Sequence, residues 1–414
     1  MMMNVAIMGY GTIGSGVAEI LEQNSQQIRQ ASGQPVELKY VLDLRDFPDS
    51  PVADRVVHDF GIIENDPDVQ VVVEAMGGLN PSYPFVKACL LAGKHVVTSN
   101  KALVAAYGTE LLELARQKQV NFFFEASVGG GIPIIRPLYR CLAGEKLQEI
   151  TGILNGTTNY ILTKMDKEGA SFESALKEAQ ALGYAEQNPE ADVEGHDTCR
   201  KIAILTAMAT GREVDYQEIH TEGITRITDM DFRYADRLGA SVKLFGTSRM
   251  EGDQVHACVV PVMIGKDHPL YSVSDVYNGI LVKGNMLGTS MFYGSGAGKL
   301  PTASAVVADI IEAVQNRDRN VALGWSGDRL SIGAMDTMEF RYFVRAAGSC
   351  TEGKDLVESH FGPAEYVCLG DAGEFAFLTG KMKEGDFKEK AVAFETAWKD
   401  SHPEGILQMI RAEL

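Results

Sequence analysis

From Val5 onward the apolar residues keep two rhythms that alternate along the chain. Short apolar runs, "NVAIM", "VELKYVLDL", "VQVVVEAMGG", "KHVVTSN" and "VNFFFEASVGGG", read as strands, "VQVVVEAMGG" as a buried one. Between them "GSGVAEIL", "NPSYPFVKACLLAG" and "KALVAAYGTELLELARQK" carry their apolar residues at helical spacing. This alternation predicts a parallel sheet, with ligands at the carboxyl ends of its strands. After Gly131 the rhythm changes. "PIIRPLYRCLAGEKLQEITGILNGTTNYILTKM" holds a helix, a strand, and then Asn155 to Asn159, turn residues and hydroxyls ahead of helical spacing. "TRITDMDFRYADRLGASVKLFGTSRM" and "VHACVVPVMI" mix both signals, and a glycine-rich turn, Gly294 to Gly298, leads into another helix. From "MEFRYFVRAAG" to the end the order is close to βαββαβ.

Composition narrows the possibilities. At 414 residues two or three domains are expected, and 45% hydrophobic with 23% charged residues is a globular balance. A net charge of −18 argues against nucleic acid or an anionic membrane as partner. The six cysteines, at 89, 141, 199, 258, 350 and 368, stand singly, without CxxC or Cys/His spacing. That fits a reducing cytosol and gives no structural zinc site. No apolar run approaches the roughly 18 residues of a membrane span. The start, "MMMNVAIMGYG", enters a strand without a basic leader, so a cytoplasmic protein is expected.

Two stretches carry chemistry. In "NVAIMGYGTIGSGVAEIL", Gly9, Gly11 and Gly14 follow a strand and open a helix, the G-x-G-x-x-G order of a dinucleotide site. Gly9 permits the tight turn, Gly11 lets backbone approach a pyrophosphate, and Gly14 lets helix and strand pack closely. Asp43 ends the second strand with Arg45 close behind. An acid there takes the ribose hydroxyls of NAD and an arginine the 2′-phosphate of NADP, so both coenzymes stay open. Ser99, Asn100 and Lys101 lie at another strand end. The second stretch is "AEQNPEADVEGHDTCRKIAILTAMATG". Asp197 and Lys201 are four apart, and Glu194 and Lys201 seven, which puts all three on one helix face. A lone pair of this kind is commonly a surface salt bridge.

Taken together, "GYGTIGSG", "SNKALVA", "EASVGGGIPIIRPL", "ILNGTTNYIL", "LGYAEQNPEADVEGHDTCRK" and "GSGAGKLPTASAV" resemble the homoserine dehydrogenase family, in order, from residue 5 to about 310. "LNGTTNYIL" and the acidic block before Lys201 are the specific ones. The resemblance implies NADP- or NAD-dependent hydride transfer between L-aspartate 4-semialdehyde and L-homoserine, in threonine, methionine and isoleucine biosynthesis. It implies a Rossmann domain over 1–131, completed by about 300–320, and an α+β catalytic and dimerisation domain over 132–299. An ACT-like tail would cover 338–414. Gly9, Tyr10, Gly11, Thr12, Ile13, Gly14, Arg45, Ser99, Lys101, Gly183 and Gly296 would meet the coenzyme. Tyr184, Glu186, Asp192 and Asp197 would hold the substrate, Lys201 would donate the proton, and Lys101 would be a second lysine close to both. By the same resemblance Glu125, Val128, Gly130 and Ile132 would line a sodium or potassium ion, largely through backbone oxygens. The partners implied are the small-molecule substrate and a second copy of the chain, as homodimer or homotetramer, with a sheet extended across a two-fold axis. The tail has "RAAGSCTEGKDL" where ACT domains commonly carry Asp-x-Pro-Gly, so a regulatory tail and a purely dimerising or vestigial one both stay open.

Two other readings compete with this one. A coenzyme-binding sensor without chemistry would have lost one of Lys101, Lys201, Glu186 or Asp197, and none is lost. An enzyme making an acyl phosphate from the semialdehyde needs a nucleophilic cysteine. Cys199 is two residues from Asp197 and points to another helix face.

Overall fold

The computed structural model describes residues 2–370 and 373–414. Six parallel strands form the first sheet: Met3–Met8, Val36–Leu42, Val56–Val57, Val69–Glu74, His95–Thr98 and Phe122–Phe123. Their spatial order is third, second, first, fourth, fifth, sixth, the doubly wound dinucleotide-binding order. Helices cover both faces, which is why Val5 to Met8 and Val71 to Glu74 are buried throughout. Only the two-residue strand Val56–Val57 has no signature in the apolar pattern, being too short for any period. Between the first and fourth strands the winding reverses, and the crevice at that point faces the carboxyl ends.

The chain divides into two compact units, one made of residues up to Leu147, Arg200–Tyr216 and Lys283–Leu330. The other comprises Gln148–Cys199, Gln217–Val282 and Ser331–Leu414. The helix Lys299–Gln315 belongs to the first unit and packs on the helix Thr12–Gln23. Closeness there depends on Gly16, where an added Cβ would stand 3.0 Å from the Ala303 Cβ.

In the second unit two twelve-residue antiparallel strands, Ala240–Glu251 and Gln254–Gly265, turn at Gly252, whose φ of +64° favours glycine. Leu147–Ile153 pairs with the first of them, and Ile406–Glu413 runs parallel to the second. The tail follows the βαββαβ order: Glu339–Ala347, Cys350–Phe361, Glu365–Val367, Glu374–Leu378, Glu384–Trp398 and Ile406–Glu413. Its strands lie side by side as last, first, third, second, so its sheet continues the larger one through Ile406–Glu413. Phe361, Phe375, Phe377, Phe387, Phe394 and Trp398 form its aromatic core.

One expectation fails in the tail. Cys350 and Cys368, read as separate thiols, form a disulfide. A helix begins at one cysteine and the return strand ends beside the other, a proximity that spacing alone does not reveal.

Candidate functional site

The glycine motif does what its spacing asks. Gly9 has φ +95°, and a Cβ on it would stand 2.9 Å from Ala75 O. A Cβ on Gly14 would stand 1.9 Å from Gly9 O and 3.1 Å from the Ile7 side chain, so only glycine lets the helix approach the strand this closely. Gly11 caps the helix of Thr12, Ile13 and Gly14 with nothing within 4 Å of a Cβ position, open space at the positive end of the helix dipole. Beside it lies a cavity of about 500 Å³, lined among others by Asp43, Arg45, His58 and Phe60. Asp43 accepts the Tyr10 amide at 2.8 Å and both prongs of Arg45, each at 2.9 Å. That fork, opposed by partial burial, holds the Asp43 carboxyl well below the usual carboxylate range. Glycines, acid and arginine fit a dinucleotide. Lys101 is the first residue of the helix Lys101–Lys118, directly after Ser99 and Asn100, and the Asn100 side chain caps that helix by accepting the Leu103 amide at 3.1 Å.

The acids expected on the substrate belong to the second unit. Asp197 is buried in the first turn of the helix His196–Thr210, and Lys201, also buried, stands one turn further along. Glu194 is not on that helix: Gly195, at φ +80°, breaks the chain direction first, which corrects the expectation of three residues on one face. Asn155 was read only as a turn residue. Its amide nitrogen donates to Asp192 Oδ1 at 2.8 Å and Asp197 Oδ2 at 2.9 Å, while its oxygen caps the helix Gly156–Glu168 by accepting the Thr158 amide. Two carboxylates are thereby drawn together by a donor rather than left to repel. The signal was present in "NGTTN", an Asn at a helix start, but a cap motif does not tell what its amide nitrogen reaches. Glu186 and Tyr184 are exposed on the loop after Gly183, with the Tyr184 carbonyl held by the Thr157 hydroxyl at 2.7 Å.

The loop that follows the sixth strand is tightly drawn. A Cβ on Gly129 would meet Ile132 O at 2.3 Å, and one on Gly130, at φ +59°, would meet Gly296 O at 2.3 Å. The buried Glu125 carboxylate accepts the amides of Ile134, Ile135 and Arg136 at 2.6 to 2.8 Å. Arg136 in turn reaches Asp309 and Glu312 on the helix Lys299–Gln315, and Arg140 also reaches Glu312. Burial pushes the Glu125 and Asp309 carboxyls up, with Arg136 acting against it. Any cation in this loop would therefore meet main-chain oxygens, as the Glu125 side chain is already engaged.

Comparison with known proteins gives this geometry a context. The family model for homoserine dehydrogenase matches residues 133–311, and that for the homoserine dehydrogenase NAD binding domain matches 9–125. The chain belongs to the homoserine dehydrogenase family. A homoserine dehydrogenase of Synechocystis is 46% identical over 334 residues, 78% of this chain and 76% of that protein. One from Bacillus subtilis is 41% identical over 331 residues, 78% and 75% of the two. The crystal structure of a homoserine dehydrogenase from Thiobacillus denitrificans superposes with a TM-score of 0.89 at 31% identity, covering 100% of this chain and 98% of that one. A hyperthermophilic archaeal homoserine dehydrogenase in complex with NADPH gives 0.65 at 28% identity, over 76% of this chain and 98% of its own. The protein is thus an NAD(P)-dependent oxidoreductase interconverting L-aspartate 4-semialdehyde and L-homoserine, a step toward threonine, methionine and isoleucine. Among the described residues no helix is long and apolar enough to cross a membrane.

Proposed function

We propose that Lys201 moves the proton and that Glu186, Asp192 and Asp197, steadied by Asn155, hold the amino-acid substrate. The observation that carries this reading is a buried lysine one helical turn past a buried aspartate that Asn155 already ties to Asp192. When bound, NAD(P) supplies the hydride acceptor or donor. As homoserine is oxidised, Lys201 takes the hydroxyl proton; in the other direction it returns a proton to the developing alkoxide oxygen. The carboxylates attract the substrate ammonium, and Asn155 lowers their mutual repulsion enough for two acids to share a neighbourhood. Lys101 would serve as second lysine beside the coenzyme, together with Ser99, Gly183 and Gly296, and Tyr184 would border the substrate.

The proposal also covers finer points. Arg45 favours NADP, with NAD also used. A sodium or potassium ion would sit among main-chain oxygens of Glu125, Val128, Gly130 and Ile132, the hard donors such ions prefer, and would act structurally. The protein would work in the cytoplasm, a placement that rests on the family resemblance, since the Cys350–Cys368 disulfide removes the support the cysteines lent it.

Lys201→Ala tests the central claim. Turnover should fall by roughly two to four orders of magnitude while coenzyme affinity is nearly unchanged. Arginine in its place should rescue little, since it restores charge but does not release a proton. A Lys201→Ala enzyme within a few-fold of the parent rate would end the assignment and leave Lys101 as the candidate.

A further inference from the structure

Glu74 ends the fourth strand and is completely buried, yet no salt-bridge partner lies within reach among the described residues. Its carboxylate is instead the hub of two loops. One oxygen accepts the amides of Met76 and Gly77 at 2.9 and 3.0 Å and the Ser82 hydroxyl at 3.1 Å. The other accepts the Thr98 hydroxyl at 2.6 Å. The Ser82 hydroxyl also lies 3.0 Å from Gly77 O, so its one proton is shared between the carboxylate and the loop carbonyl. Thr98 Oγ1 then accepts the Asn100 amide at 2.9 Å, and Asn100 Nδ2 returns to Gly78 O at 2.6 Å. Gly77 and Gly78, at φ +76° and +67°, let the first loop curl around this hub. That loop forms part of the coenzyme cavity through Ala75, Met76 and Pro81. The second loop launches the helix that begins with Lys101.

We infer that Glu74 is a positioning residue: through Thr98 and Asn100 it locks the wall of the coenzyme cavity to the turn that aims Lys101. This rests on the reading of Lys101 as a lysine of the reacting centre. The Glu74–Thr98 and Thr98–Asn100 links are short bonds between buried groups, and the links to Met76, Gly77 and Gly78 lie at the half-open rim, so a shift at the cavity wall must be transmitted inward or must break a buried bond that water does not readily replace. A salt-bridged acid would hold its place by charge. Glu74 is held by the turn after its own strand, by the start of the helix Ser82–Leu91 and by the end of the strand His95–Thr98, and so it reports how these are set against one another.

Glu74→Gln keeps one accepting oxygen and puts an NH₂ at the other position, so a hydroxyl that now donates must turn round and accept, and Thr98→Val removes the hydroxyl at nearly constant shape. Both should raise the coenzyme KM and lower kcat at saturation by between about tenfold and about a hundredfold, the scale of a small misplacement. Homoserine KM should move far less, and Thr98→Ser should stay near the parent. On a Lys101→Ala background Glu74→Gln should lower kcat little further, because both changes then act through one group. If Lys101→Ala alone leaves turnover intact, it is the role of Lys101 that fails, and the coenzyme KM still judges the cavity wall. If Lys101→Ala is crippled while folded Glu74→Gln and Thr98→Val keep kcat and coenzyme KM within twofold, the inference is overturned. Loss of fold in Thr98→Val would overturn it as well, since the network would then be structural only.

Discussion

Arg45 forks onto Asp43 through two bonds of 2.9 Å while most of its side chain stays in solvent, above the Phe47 ring. Such an arginine is free to turn from carboxylate to phosphate, since solvent screens an exposed pair. A 2′-phosphate is a better partner, bidentate and more highly charged. Arg45→Ala should therefore weaken NADP much more than NAD, and steady-state KM values for both coenzymes would show it. Equal losses would mean that Arg45 does not read the 2′-phosphate. At this scale the sequence was legible where a residue acts through its type and its place at a strand end, as with the backbone roles of Gly9 and Gly14. It was silent where the role lies in a partner far along the chain. Asn155 reaches Asp192 and Asp197, and Glu74 reaches Thr98, across separations that no local spacing encodes.

Elements were easier to read than their ends. All strands of the first sheet but Val56–Val57 were legible, most of them because burial on both faces leaves apolar runs, whereas the helix that carries Lys201 was read as beginning before Gly195, which looks like any loop glycine in sequence. The edge of that sheet holds a measurable consequence of burial. His95 lies within the strand His95–Thr98, and its Nδ1 accepts the Asn121 amide at 3.0 Å. Asn121 continues the link to the carbonyls of Asn316 and Arg319 after the helix Lys299–Gln315. Burial pushes the His95 imidazole down to about 4 from 6.5. Below pH 6.5 the unfolded chain takes up a proton that the folded one refuses, so this contribution is whole above 6.5 and is lost as pH falls toward 4. The full loss is about 3 kcal/mol at 1.36 kcal/mol per unit. Urea titrations should show His95→Gln losing less stability than the parent between pH 6.5 and 4.5. Parallel pH curves for the two would remove His95 from the account.

For the molecule as a whole the open question is how many copies work together. Strand Gly288–Ser295 stands last in the order of the larger sheet, and an edge strand offers its backbone groups to any neighbour unless charge or cover prevents it. Here the edge is not blunted. Met286 is 83% exposed, Leu287 and Tyr293 are each 55%, and Met291 is 41%. Four large apolar side chains within eight residues form the kind of patch that marks an interface rather than a solvated surface. A chain with net charge −18 resists indiscriminate association, so contact is favoured where local apolar burial outweighs that repulsion. Two copies meeting edge to edge about a two-fold axis would place the same strand on both sides, an isologous contact that closes without further growth. We therefore expect light scattering at micromolar concentration to give at least twice the 45.0 kDa of one chain. Met291→Lys combined with Tyr293→Lys should shift that mass toward the single chain and make it fall on dilution, because two charges would have to be buried unpaired at each half of the contact. A parent mass near 45 kDa would refute the assembly outright. A dimer indifferent to the double substitution would keep the assembly but move its interface away from this edge.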